Sequence, residues 1–132
     1  MAASKSPRAR LLHIRDEIEG VAATIKDLSF EQYRSSYIHR RAIERAAQIV
    51  SEAAKALPGD YLARYSEAPW ISIIGIGNVL RHEYQRLDDR RLWEIATIHL
   101  PALEPVVRRM IAELKTRFFR ATSSESYRPF GR

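Results

Sequence analysis

The side chains best suited to chemistry are concentrated in one segment of twelve residues, 75–86, which reads Gly-Ile-Gly-Asn-Val-Leu-Arg-His-Glu-Tyr-Gln-Arg. An imidazole exchanges protons near neutral pH, and a guanidinium binds phosphate oxygens. His82 follows Asn78 by four residues, so the two share one face of a helix, where the amide can orient the ring or hold a phosphate. The residue types of the segment therefore suit proton transfer beside an anion.

The same residues also fit an ordinary helix surface. A lone histidine on a helix is more often a structural or solvated residue than a catalyst, and arginines mixed with acidic residues are typical of a solvent-facing side. Tyr84 comes two residues after His82, so it points elsewhere if the helix continues and fits a core or interface position equally well. Spacing alone therefore predicts a helical domain with an anion site and nothing more specific.

The sequence excludes or disfavours several classes of site. The chain has no cysteine, no GxxxxGK[ST] phosphate loop and no HExxH zinc motif, and no two of its four histidines are three or four residues apart. We therefore expect no metal and no cofactor. No apolar run approaches the roughly 20 residues of a membrane-spanning helix, and no apolar stretch follows the basic start as in a secretory signal, so we expect a cytoplasmic protein.

The net charge of +6 is typical of proteins that bind nucleic acids, but half of it lies in the first ten residues. Residues 1–10 carry +3 and residues 121–132 carry +1, which leaves +2 for residues 11–120. The placement of single arginines therefore says more about partners than the total charge does. We predict a basic N-terminal extension at 1–10, one helical domain at 11–120 and a flexible C-terminal tail at 121–132.

Apolar residues recur every three or four positions, which predicts helices rather than strands. The first stripe covers 11–28, after which Ser29 and Gln32 have the spacing of a helix-capping box. A second stripe lies on a helix that ends at Pro58. It consists of Ile38, Ala42, Ala46, Ile49, Ala53 and Leu57. Its alanines indicate that a neighbouring helix approaches closely.

Further helices are marked by prolines and acidic residues. One begins after Pro69 and carries an apolar face from Trp70 to Tyr84. Another begins at Asp88, because a carboxylate suits a helix N-terminus. Pro101 opens the last helix, because proline cannot continue a helix without losing a hydrogen bond. The predicted fold is an all-α, up-down bundle of four to five helices.

Segments along most of the chain, about 11–115, resemble the HepT-like toxins, a branch of the HEPN superfamily of small helical ribonucleases. Besides 75–84, the matching segments are Ser51-Glu52-Ala53-Ala54-Lys55, where the family often has a GEAAK-like string, Ala68-Pro69-Trp70, Leu92-Trp93 and Leu100-Pro101. These segments agree with the family in order and in spacing. The resemblance therefore implies a HEPN-like helical fold.

The resemblance also implies a two-fold dimer that brings two copies of a signature motif into one cleft and cleaves RNA without a metal ion. It further implies a toxin–antitoxin pair, in which a small nucleotidyltransferase antitoxin silences the toxin by adenylylation (AMPylation) of the signature tyrosine. By position, Asn78 is the polar residue of the motif, His82 its histidine and Tyr84 the modified tyrosine. Arg81 and Arg86 are then expected to hold RNA phosphates.

The signature arginine is missing, because Gly77 stands five residues before His82. A guanidinium there would stabilise the charge that builds on the phosphoryl oxygens, and losing one such donor typically costs about 10²–10³ in rate. Three explanations are open. In the first, Gly77 replaces the arginine of an active parent and impairs this chain. In the second, the chain is a natural pseudo-enzyme that only binds its partner. In the third, Arg81 substitutes for the missing arginine one turn along the helix. The sequence favours the first and gives the third the least support.

Two other functions compete with an impaired ribonuclease toxin. One is a non-catalytic helical dimer that binds a nucleotidyltransferase or an RNA, in which Tyr84 is a regulatory acceptor or an interface residue. The other is a purely structural helical protein, which leaves the polar residues of 75–86 unexplained. Transfer of an adenylyl group to Tyr84 by the product of a neighbouring gene would favour the toxin–antitoxin interpretation over both.

Overall fold

The computed structural model describes residues 6–126, with side chains described through residue 116. The regular structure of this part is entirely helical. The helices are α1 (Pro7–Ile25), α2 (Phe30–Arg34), α3 (Tyr37–Lys55), α4 (Gly59–Arg64), α5 (Trp70–His82), α6 (Asp89–Glu94) and α7 (Leu100–Ser126). A 3-10 turn, Tyr84–Arg86, follows α5, and a π-helical segment, Ile95–His99, joins α6 to α7. The prediction of an all-α fold is confirmed.

Helix α3 packs against both α1 and α5, and α1 also packs against α7. Helices α3 and α5 run in opposite directions, because Arg41 near the start of α3 contacts Tyr84 just after the end of α5. The end of α5 is thereby held against the first turns of α3. The candidate site residues of the sequence analysis lie at this end of the helix pair.

Short polar side chains cap the starts of several helices. In the predicted capping box, the Gln32 N–H donates to Ser29 Oγ at 3.1 Å and the Ser29 N–H donates to Gln32 Oε1 at 2.8 Å. Ser6 caps α1, Ser36 caps α3 and Asp88 caps α6 in the same manner, each accepting from a backbone N–H of the first turn. Each such cap stabilises a helix by about 1 kcal/mol.

The buried residues match the predicted second stripe only in part, since Ala46, Ala53 and Leu57 are buried as predicted and the other three are not. Ile38 is 75% exposed, Ala42 is exposed and Ile49 is only half-buried. The apolar residues that α3 buries are Ile43, Ala46, Ala47, Val50, Ala53 and Ala54. Both sets recur every three or four positions, so the sequence pattern permits either phase. Contact with α1 and α5 selects the observed one.

Pro101 does not open a new helix, contrary to the prediction. Helix α6, the π segment and α7 follow one another without a break from Asp89 to Ser126. Within the π segment the Leu100 N–H donates to the Ile95 carbonyl, five residues back. This wider turn lies immediately before Pro101, where a proline ring in a regular α-helix clashes with the preceding turn. The helix therefore accommodates the proline instead of ending.

The helices extend beyond the predicted domain limits. Helix α1 begins at Pro7, inside the predicted extension 1–10, and α7 continues to Ser126, so the predicted tail 121–132 is helical over its first residues. The outermost residues of both segments lie outside the described part of the chain. Among the described helices, none is long and apolar enough to cross a membrane.

Candidate functional site

The candidate chemical residues lie in the last two turns of α5 and in the 3-10 turn after it. Asn78, Arg81 and His82 belong to α5, whereas Tyr84 belongs to the turn. The helix ends before Tyr84 because Glu83 leaves the helical conformation, with φ −138° and ψ 43°. The sequence analysis predicted that the apolar face of this helix extends to Tyr84. That prediction is wrong, because the helix ends at His82.

The Arg81 guanidinium is held by two neighbours. Its Nη2 donates to Asn78 Oδ1 at 2.8 Å, and its Nη1 lies 3.6 Å from Glu52 Oε2 of α3. The same Nη1 would lie 3.8 Å from a Cβ atom built on Gly77. A guanidinium therefore lies next to the position of the missing signature arginine, although it comes from a different residue.

The His82 side chain is exposed, and its ring makes no hydrogen bond or ion pair with any residue that the structure describes. Asn78 does not orient the ring, which is one of the two roles that the spacing allows, and its Oδ1 accepts from Arg81 instead. Arg86 is exposed and pairs with Glu83 at 3.3 Å. An exposed pair of this kind contributes at most about 1 kcal/mol, so Arg86 is available to other anions.

The Tyr84 hydroxyl is held by two residues of α3 that no sequence pattern singles out. It donates to Glu44 Oε1 at 2.8 Å and accepts from Arg41 Nη1 at 2.8 Å. Arg41 Nη1 also lies 3.0 Å from both Glu44 carboxylate oxygens. The hydrogen bond to Glu44, together with burial and the charge of that carboxylate, raises the pKa of Tyr84, while Arg41 and Arg40 oppose the shift. Glu44 and Arg41 precede Tyr84 by 40 and 43 residues, so only the fold reveals them.

Gly77 is buried against α3, where there is no room for a side chain. A Cβ atom at this position would lie 2.0 Å from Ser51 Oγ and 2.7 Å from Ser51 Cβ. Rotation of the Ser51 hydroxyl relieves the first overlap but not the second, because Cβ is fixed to the backbone. Ser51 Oγ also donates to the Ile74 carbonyl at 3.0 Å, which holds the hydroxyl at the crossing of α3 and α5. With Ser51 present, helix packing requires glycine at position 77.

This packing argues against the first explanation of Gly77 from the sequence, a simple loss of arginine. A parent chain with arginine at position 77 and Ser51 unchanged would have overlapping Cβ atoms. The third explanation gains support, because the Arg81 guanidinium lies beside position 77.

The chain is similar to one protein family and to several curated proteins. The family model described as "Ribonuclease HepT-like" matches residues 14–110. A protein of Caldanaerobacter subterraneus subsp. tengcongensis named "Putative RNase" is 34% identical over 111 residues, 84% of this chain and 99% of that protein. The "Probable ribonuclease HepT" of Thermococcus cleftensis is 28% identical over 100 residues, 76% of this chain and 91% of that protein. No solved structure matches the chain.

The Ser51–Gly77 contact predicts opposite effects of alanine at two helical glycines. Gly77→Ala should lower the free energy of unfolding by about 1–3 kcal/mol, the usual cost of overpacking a close contact. Gly20→Ala is the matched control, because no atom lies within 4 Å of a Cβ at this exposed position in α1. It should raise the free energy of unfolding by roughly 0.5–1 kcal/mol, since alanine is the better helix former. Urea unfolding measures both changes.

A double-mutant cycle identifies the source of the effect. In a Ser51→Gly background, Gly77→Ala should lose most of its cost, because the overlapping side chain has been removed. Additive effects of the two substitutions would contradict the contact between Ser51 and position 77.

Proposed function

Because the chain belongs to the HepT-like ribonuclease family, we propose that it cleaves RNA without a metal ion through His82 and Arg81 at the end of α5. The observation that carries this proposal is an exposed imidazole with no partner among the described residues, next to a guanidinium that Asn78 holds. Attack of a 2′-hydroxyl on a phosphodiester needs a group that transfers protons and a cation for the phosphoryl oxygens. The two side chains supply both.

In the proposed reaction the ribose 2′-oxygen attacks the adjacent phosphorus, and the bond from phosphorus to the 5′-oxygen of the next nucleotide breaks. His82 takes the proton of the 2′-hydroxyl or delivers one to the departing 5′-oxygen. The planar fork of Arg81 binds two phosphoryl oxygens as negative charge builds on them, while Asn78 orients the fork. The products are a 2′,3′-cyclic phosphate and a 5′-hydroxyl.

Arg81 can turn to a phosphate without breaking a strong contact. Its pairing with Glu52, at 3.6 Å, is loose, and the Glu52 side chain is half exposed. Exposed ion pairs contribute little to stability, so a doubly contacted phosphate competes well for the guanidinium. The hydrogen bond to Asn78 can persist while the phosphate binds.

Substitutions of the two candidate arginines should have unequal effects on catalysis. Arg81→Ala should lower kcat by about 10²–10³, the usual cost of removing one donor to a developing charge, and Arg81→Lys should fall between it and the unsubstituted chain. Arg86→Ala should change mainly KM, because the proposed role of the exposed Arg86 is to bind a substrate phosphate and not to stabilise the developing charge. Cleavage of a fluorescent single-stranded RNA in the presence of EDTA measures these rates.

The controls separate the roles of these residues. His82→Ala should abolish cleavage while leaving the thermal unfolding midpoint nearly unchanged, because the ring is exposed. Full activity of His82→Ala would reject the proposed proton transfer. Equal losses of kcat in Arg81→Ala and Arg86→Ala would reject a distinct role for Arg81.

We propose that the active form is a two-fold dimer. One imidazole cannot take the 2′ proton and protonate the 5′-oxygen in the same step, whereas a two-fold axis brings a second His82 into the same cleft. Tyr37 and Ile38 are exposed apolar side chains at the start of α3. They lie at the Tyr84 end of the bundle, since Arg41 lies 4.7 Å from the Tyr37 ring and contacts the Tyr84 hydroxyl. This apolar surface suits a second copy of the chain.

Ile38→Asp should therefore convert the dimer to a monomer and lower cleavage in proportion to the dimer lost, because a charge placed in an apolar interface must be desolvated. Light scattering and the RNA assay at one concentration measure both. Ile98→Asp is the matched control, since Ile98 is an exposed isoleucine on the π segment. A fully active monomer would contradict the shared site.

We further propose that this chain is the toxin of a toxin–antitoxin pair in the cytoplasm and that a nucleotidyltransferase antitoxin silences it by adenylylating Tyr84. The Tyr84 side chain is 46% exposed, so a partner enzyme can reach its hydroxyl. Tyr84 follows His82 by two residues, so an attached nucleotide would lie at the proposed RNA site and compete with substrate phosphates for Arg81.

A further inference from the structure

The Tyr84 hydroxyl contacts a carboxylate and a guanidinium, both supplied by α3. Glu44 Oε1 accepts the phenolic hydrogen at 2.8 Å, and Arg41 Nη1 donates to the phenolic oxygen at 2.8 Å. The Glu44 side chain is only 11% exposed, although its partner Arg41 and the tyrosine both reach solvent. The phenolic oxygen therefore donates its proton to the Glu44 carboxylate and accepts from the Arg41 guanidinium, and these two groups also contact each other.

We propose that Glu44 and Arg41 are the acceptor-side catalytic residues for nucleotidyl transfer to Tyr84. This inference rests on the proposed adenylylation of that tyrosine. In the step, the phenolic oxygen attacks the α-phosphorus of a nucleoside triphosphate supplied by the partner enzyme, and the bond from that phosphorus to the pyrophosphate oxygen breaks. Pyrophosphate leaves with the electron pair of that bond, and the phenolic proton passes to the Glu44 carboxylate.

The geometry gives each residue a separate task. The phenol keeps its proton at neutral pH, since the hydrogen bond to Glu44 and partial burial raise the pKa of Tyr84, so a base must take the proton as the oxygen attacks. Glu44 is already in hydrogen-bond contact with that proton. Arg41 faces the phenolic oxygen, so its guanidinium is within reach of the phosphate that becomes attached there.

Stability alone does not account for this arrangement. Arg34 and Glu31 form an ion pair with the same three-residue spacing on α2, but the Glu31 side chain is 70% exposed and pairs at little cost. Burial of the Glu44 carboxylate carries a desolvation penalty that an apolar residue would avoid. The Glu44 side chain instead accepts the hydrogen bond of the Tyr84 hydroxyl, which is the contact that a proton acceptor requires.

The test uses the full chain, the purified product of the nucleotidyltransferase gene that we expect beside its own gene, and ATP with magnesium, with intact mass as the readout. The unsubstituted chain and the Glu31→Gln control should each gain one adenylyl group, and Tyr84→Phe should gain none. Glu44→Gln should react at least about tenfold more slowly at pH 7, because an amide accepts the hydrogen bond but not the proton. Glu44→Asp should recover part of the rate, since it restores a carboxylate.

The pH dependence separates proton transfer from a packing role. The rate of Glu44→Gln relative to the unsubstituted chain should rise between pH 7 and 9 and approach one, as hydroxide ionises the phenol in place of the carboxylate. RNA cleavage by unmodified Glu44→Gln should stay within about twofold of the unsubstituted rate, because Glu44 has no part in the proposed RNA reaction.

Each result has one meaning. If Glu44→Gln is adenylylated at the unsubstituted rate, or its relative rate does not change with pH, Glu44 is not the proton acceptor, while the adenylylation of Tyr84 stands. If Glu44→Gln loses RNA cleavage and adenylylation together, its role is structural and the inference is wrong. If the unsubstituted chain gains no adenylyl group, the proposed regulation itself fails.

Discussion

The close approach of α3 and α5 at Ser51 and Gly77 is the constraint on which the candidate site depends. The Ser51 hydroxyl lies where a side chain at position 77 would be, and it donates to the Ile74 carbonyl at 3.0 Å. Glycine inside a helix costs about 1 kcal/mol relative to alanine, and close packing of the two helices offsets this cost. Because the helices touch here, the next turn of α5 lies close enough to α3 for Arg81 to reach Glu52.

One side of α3 therefore supports both parts of the proposed function. Arg41, Glu44, Ser51 and Glu52 all contact α5 or the turn after it. The first two hold the Tyr84 hydroxyl, and the last two fix the position of α5 and its arginine. Cleavage and its regulation would then depend on one helix–helix interface, so a shift of α5 along α3 would disturb both.

The sequence alone predicts features that depend on residues close together along the chain. His82, Asn78 and Tyr84 stand out by residue type and spacing, and the helical period locates the long helices. The α3 stripe was wrong for Ile38, Ala42 and Ile49 and right for Ala46, Ala53 and Leu57, since only the neighbouring helices decide which face is buried. The close packing of Gly77 could not be predicted, because the sequence does not reveal that Ser51 lies against it. The Arg41–Glu44 pair at Tyr84 was missed for the same reason, since it forms only when α3 and the end of α5 meet.

The most direct test of this account is the RNA-cleaving activity of the unmodified, unsubstituted chain in EDTA, measured beside Gly77→Arg. If Gly77 is a packing residue and Arg81 supplies the guanidinium, the unsubstituted chain cleaves RNA, and Gly77→Arg is less stable and no more active. An inert chain that gains cleavage when arginine is introduced at position 77 would contradict the account, because it would show that the signature arginine had simply been lost.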